Sequence, residues 1–153
     1  MIFCIAQAVT VRMGHLIGGG FNMIAKQTAY AGIKISVTLM FIASLFYWFM
    51  PITLIGFDLH ITKPENANII RYTCAFLAIG AIFQILEAVR ITLFSALRSL
   101  KDTHYPLIIS IFCLWFIALP IGYFFVRYLN FGGQGLWWGM VIGSLFSVVL
   151  LYR

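Results

Sequence analysis

Five apolar runs alternate with short polar connections along the chain, at residues 1–17, 35–57, 69–97, 105–127 and 134–151. A helix needs ~20 residues to cross a hydrocarbon core, and the three middle runs meet that length. The last run is shorter but is extended by the glycines that precede it, whereas the first is too short to cross and indicates the final part of a helix. The pattern predicts an all-α fold: a single polytopic membrane domain, 1–153, with four full transmembrane spans and one partial N-terminal helix.

The composition agrees with a membrane protein. The chain is 63% hydrophobic and only 9% charged, with a mean hydropathy of +1.02, whereas soluble domains carry about 25% charged residues. The formal net charge is +6, but the basic residues stand singly near the ends of apolar runs, as interfacial anchors do. We therefore expect the lipid bilayer as a partner and no nucleic acid.

No catalytic or metal-binding pattern is present in the sequence. The three histidines and three cysteines lie far apart, without the spacing of a zinc site or a redox pair. No nucleophile elbow or phosphate-binding loop occurs. We expect neither an enzyme nor a bound metal or cofactor.

Glu87 is the most informative residue, because it lies inside an otherwise lipid-compatible run. A carboxylate at that depth is costly, and such residues usually face a bundle interior or a wet cavity on an ion or substrate pathway. At 100° per residue the polar residues of this helix form one narrow face. That face carries Thr73, Gly80, Gln84, Glu87, Ile91, Ser95 and Arg98.

Two interpretations of Glu87 remain open from the residues alone. In one, Glu87 is a cation or proton site in a cavity lined by Gln84 and its neighbours. In the other, Glu87 forms a plain structural ion pair with Arg90, one turn further on.

The last run carries small residues at every fourth position, Gly135, Gly139, Gly143 and Ser147. Such a ridge permits close helix contact, and we interpret it as a packing surface. Pro120 predicts a bend in the preceding helix.

Three stretches resemble the multidrug and toxic compound extrusion (MATE) transporters. Residues 6–20 (AQAVTVRMGHLIGGG) are similar to the family's segment that ends in Arg, Gly, His and glycines. Residues 83–89 (FQILEAV) with 96–106 (ALRSLKDTHYP) resemble its helix with an acidic residue and the loop that follows. Residues 115–139, with WFIALPIGY and GLWWG, resemble its last two helices.

The resemblance implies twelve helices in two lobes, of which this chain covers the end of the eighth to the twelfth, as part of one lobe. It implies a cation-coupled antiporter, driven by H+ or Na+, that exports amphipathic or cationic small molecules across the bacterial inner membrane. The family's acidic residue maps onto Glu87, with Phe83, Gln84, Arg90 and Ser95 as candidate cavity-lining residues. The missing N-terminal lobe of the same transporter would be its partner, so we expect an incomplete chain.

Phe83 departs from the family pattern, because sodium-coupled members commonly have Tyr there. The loss of that hydroxyl puts sodium coordination in doubt. Two alternatives stay open: a lipid-linked saccharide flippase of the same superfamily, and a non-transporting membrane subunit or inert fragment that oligomerises through the small-residue ridge.

Overall fold

The computed structural model describes residues 2–56, 67–129 and 131–152, and within these ranges the secondary structure is helical, without strands. Four longer helices and shorter segments follow one another along the chain. They are α1 (Ile2–Gly18), α2 (Asn22–Phe49), α3 (Pro51–Gly56), α4 (Ala67–Ser99), α5 (His104–Phe112), a π-helical segment (Cys113–Ala118), α6 (Leu119–Tyr128) and α7 (Gly133–Tyr152).

Four of the described helices are long and apolar enough to cross a membrane: Asn22–Phe49, Ile70–Ser99, His104–Tyr128 and Gly133–Tyr152. The helix α1 is apolar but shorter. Large apolar side chains such as Phe41, Phe116 and Val149 are exposed on the outer surface, as lipid contact requires. The predicted fold class, an all-α membrane bundle with a shorter N-terminal helix, is confirmed.

The second span differs from the apolar run 35–57. Its helix already begins at Asn22, so it includes Lys26 and Lys34, whose long side chains can extend from an apolar helix toward the interface. It ends at Phe49, because Met50 precedes a proline and adopts φ −129°, ψ 43°. Pro51 then begins the short α3, and residue 57 lies outside the described residues.

The connection between α1 and α2 is a tight glycine turn. The amide of Phe21 donates to Leu16 O (2.9 Å) and that of Gly20 to Ile17 O (3.0 Å), the pattern of a Schellman motif. Gly20 has φ +81°, a conformation that costs glycine nothing. The turn lets α1 and α2 pack against each other and against α4.

The helix α4 is the centre of the bundle, since α1, α2, α3, α5 and α7 all contact it. Buried hydroxyl groups connect α4 to α2. Thr92 is fully buried and donates to Ser36 Oγ (3.1 Å), while Ser44 donates to the Ala81 carbonyl (2.9 Å). Each hydroxyl also contacts a carbonyl of its own helix, Ala88 O for Thr92 and Met40 O for Ser44, so these polar groups have partners within the helix and across to its neighbour.

The small-residue ridge of α7 packs against the π-helical segment and α6. A Cβ built at Gly139 would lie 2.5 Å from Gly122 Cα, and one at Gly143 would lie 2.6 Å from Ala118 Cβ. The ridge is therefore used inside the chain, as the packing interpretation predicts. The alternative that it serves oligomerisation is not supported, because α6 and the π-helical segment already cover it.

A π-helical segment lies just before Pro120, where the sequence predicts a bend. Leu119 N–H donates to Leu114 O, five residues earlier. A proline removes one backbone donor and crowds the preceding turn, and a wider turn relieves that crowding. Such π segments are rare and often occur at functional sites.

We predict that Gly139→Ala destabilises the bundle by about 2 kcal/mol, because the new methyl group would overlap backbone atoms of α6 that cannot rotate away. Gly14→Ala is the matched control, since no atom lies within 4 Å of a Cβ built there. Alanine's better helix propensity should leave that variant as stable as the wild type or up to about 1 kcal/mol more stable. Reversible denaturation in detergent measures both. Equal stability of the two variants would contradict the packing interpretation.

Candidate functional site

Glu87 and Arg90 form a bidentate ion pair on α4. Arg90 Nε donates to Glu87 Oε2 at 2.9 Å, and Arg90 Nη2 donates to Glu87 Oε1. The two residues are three positions apart, so the helix places their side chains on neighbouring rows of the same side. Both side chains are mostly withdrawn from the surface, with 21% of Glu87 and 25% of Arg90 exposed.

Ser110 of α5 is the third member of this cluster. Arg90 Nη1 donates to Ser110 Oγ at 3.3 Å, across the gap between α4 and α5. The Ser110 hydroxyl donates its own proton to the Pro106 carbonyl at 2.8 Å. Its lone pairs are therefore free to accept from the guanidinium, which has donors only.

The ion pair lies between two clefts and contributes to the walls of both. The first cleft, of about 280 Å³, is bounded by α4, α5, the π-helical segment and α7. Its polar lining consists of Glu87, Arg90, Ser110, Ser144 and Ser147. The second cleft, of about 250 Å³, lies between α1 and α4, with Gln7, Thr10, Ser95 and Arg98 beside the ion pair.

The structure distributes the other predicted cavity residues unevenly. Phe83 lines the first cleft and meets Trp137 edge to face, with ring centroids 6.2 Å apart. Ser95 lines the second cleft. Gln84 lines neither of the two, because its amide turns to α2 and donates to Met40 O (3.3 Å) and Ser44 Oγ (3.2 Å). We therefore assign Gln84 to helix packing rather than to the surroundings of Glu87.

Three serines of the first cleft were not among the predicted site residues. Ser147 is almost fully buried, and its Oγ has no hydrogen-bond partner among the described residues. Cys113 is its polar neighbour across the cleft but does not satisfy it. Ser147 belongs to the small-residue ridge. The spacing of that ridge predicts packing, so the sequence gives no sign that the Ser147 hydroxyl lines a cleft. Ser110 and Ser144 have no local signal, because only the fold brings them to Glu87.

This site places the Glu87 carboxylate next to the guanidinium of Arg90. Among the described residues, no group of three His, Cys, Asp or Glu side chains comes together as a metal site. The side-chain oxygens that line the two clefts belong to the Glu87 carboxylate, to Ser110, Ser144 and Ser147 in the first cleft, and to Gln7, Thr10 and Ser95 in the second. Such a set suits a proton or a monovalent cation rather than a tightly held transition metal.

Comparisons with known proteins show which family the chain resembles. The MatE family matches residues 1–124. The multidrug resistance protein NorM of Burkholderia vietnamiensis is 34% identical over 147 residues, which cover 96% of this chain and 32% of that protein. A probable NorM protein of Deinococcus radiodurans is 31% identical over 139 residues, which cover 91% of this chain and 31% of that protein. The chain thus spans about a third of the length of these curated relatives.

We predict that breaking the ion pair destabilises the bundle more than removing it. Arg90→Met leaves the carboxylate uncompensated and should cost about 2 kcal/mol, below the value for a fully buried pair because a fifth of Glu87 remains exposed. The double variant Glu87→Leu with Arg90→Met leaves no unpaired charge and should recover most of that loss. Denaturation in detergent compares them. The Glu87→Leu single variant completes the comparison, and a loss in the double variant equal to the sum of the two single losses would show that the charges do not interact.

Proposed function

The chain belongs to the MatE family, and we propose that it forms part of a cation-coupled exporter of amphipathic or cationic drugs. In this proposal Glu87 is the carboxylate that takes and releases the coupling ion. The relatives are known as multidrug resistance proteins, which supports the substrate class. Their bacterial sources support a place in the bacterial inner membrane.

The observation that carries the proposal is the position of Glu87. It lies in the central helix of a membrane bundle, between two clefts, and is only partly exposed. A carboxylate can bind a proton or sodium in one state and release it in the other, which is the chemistry that ion-coupled transport needs. Access from two clefts supports exchange of that ion.

The coupling ion is H+ or Na+ in this proposal, with H+ favoured. Phe83 faces the first cleft with a ring that has no hydroxyl to coordinate sodium. The serine hydroxyls of the same cleft could replace part of the missing sodium coordination. A proton, in contrast, needs only the Glu87 carboxylate.

We propose that the remaining two thirds of a full-length transporter complete the path. Secondary transporters move substrate between two halves that rock around a central site. The described helices of this chain provide one side of such a site. An N-terminal lobe, on the same longer polypeptide or on a second one, would provide the other.

The first experiment determines the size of the native gene product in its own membrane. We expect a band about three times the 17.3 kDa of this chain, since the chain covers about a third of its relatives. A product near 17.3 kDa would instead support a truncated chain that does not transport by itself.

We predict that Glu87→Gln in that product lowers the rate of cation-driven ethidium transport in everted vesicles at least tenfold, while the protein still inserts and folds. Glutamine keeps the shape of the side chain but cannot take up and release a proton. Arg71→Gln is the matched control, because it removes an exposed charge from the same helix. Unchanged export by Glu87→Gln would refute the coupling role.

A further inference from the structure

We propose that Arg90 is a tethered competitor of the transported cations: it occupies Glu87 in the resting site and must pass to Ser110 before Glu87 can bind a cation. This inference rests on the proposed function, because it assumes that Glu87 takes a monovalent cation. It assigns to Arg90 a role as a positioning and specificity-determining residue.

The Glu87 carboxylate already has a cationic partner. Arg90 donates to both Glu87 oxygens, through Nε and Nη2. Each carboxylate oxygen keeps a further lone pair, so an incoming cation must either share both oxygens with the guanidinium or displace one of these two bonds. The ion pair is already neutral and Arg98 also lines the second cleft, so Glu87 has little attraction for a second cation until Arg90 moves.

Arg90 has a second partner within reach, the Ser110 hydroxyl. Its Nη1 already donates to Ser110 Oγ at 3.3 Å. That distance is long for a hydrogen bond to oxygen, and a small rotation of the guanidinium away from Glu87 would shorten it. The hydroxyl can only accept from Arg90, since its proton goes to Pro106 O.

The position of Ser110 sets the direction in which the Arg90 guanidinium would move. Ser110 lines the first cleft, whereas the second cleft, between α1 and α4, does not include it. Movement of Arg90 toward Ser110 therefore draws the guanidinium into the first cleft and uncovers Glu87 toward the second. Phe3 and Phe94 also line the second cleft, and aromatic rings attract a flat organic cation. Arg98 in the same lining repels that cation, so the uncovered Glu87 carboxylate must provide the compensating charge.

The test measures binding of ethidium, a flat monovalent organic cation, to the full-length gene product in lipid nanodiscs by fluorescence anisotropy. Arg90→Gln removes the competitor and should tighten binding about tenfold. Ser110→Ala leaves the ion pair intact but removes the second partner, and should weaken binding about threefold. Two substitutions in one cluster are thus expected to act in opposite directions, which loss of folding would not produce.

Matched controls separate these effects from general ones. Arg71→Gln removes the same charge from α4, about 28 Å away along the helix axis, and should leave the affinity unchanged. Thr28→Ala removes a hydroxyl that donates to the carbonyl four residues earlier, as Ser110 does, but that makes no hydrogen bond to an arginine among the described residues.

The outcomes distinguish the inference from the proposed function. Loss of ethidium binding in Glu87→Gln, with tighter binding in Arg90→Gln, supports both. Loss in Glu87→Gln with unchanged or weaker binding in Arg90→Gln overturns the competitor role and leaves the coupling role standing. Wild-type binding in Glu87→Gln overturns both. If Arg90→Gln does not fold, Ser110→Ala decides, and an unchanged affinity in that variant overturns the inference.

Discussion

The absence of water in the hydrocarbon core is the constraint on which this structure depends. A polar side chain placed there is costly unless it finds a partner within the protein. The helix α4 carries most of these groups and is therefore surrounded by the other helices. Thr92 pairs with Ser36, Gln84 with Ser44, and Glu87 with Arg90. The same requirement that assembles the bundle places the charged cluster at its centre.

Close packing is the second interaction that holds the helices together. Apolar side chains gain no hydrophobic stabilisation from helix contact, because lipid tails are equally apolar. The glycines of α7 let its backbone approach the π-helical segment and α6. That segment begins three residues after Ser110, so the packing of α7 fixes the neighbourhood in which Ser110 meets Arg90. A feature that looks like simple packing in the sequence thus also shapes the first cleft.

The sequence predicts the fold class because length and hydropathy alone decide whether a helix can cross a membrane. It also predicts a Glu87–Arg90 pair as one of two interpretations, because their spacing is local. It does not predict where Gln84 points, since the partner lies on another helix, α2, and Gln84 is only 60° from Glu87 around α4. Ser110 could not be found either, because nothing local distinguishes it from Ser36 or Ser44. The early start of α2 escaped prediction because Lys26 and Lys34 end the apolar run without ending the helix.

The ion pair also bears on the choice between a structural and a functional role for Glu87. Glu87 and Arg90 lie on the same helix, so their bond does not hold one helix against another. Within the part of the chain that the structure describes, the only side-chain hydrogen bond from the pair to another helix is the 3.3 Å contact between Arg90 and Ser110. An ion pair withdrawn from water gains little net stability even with good geometry, and an apolar pair of similar volume would often serve better. The free energy needed to withdraw these two charges from water is therefore not offset by helix packing. This favours a role in which the carboxylate exchanges its partner.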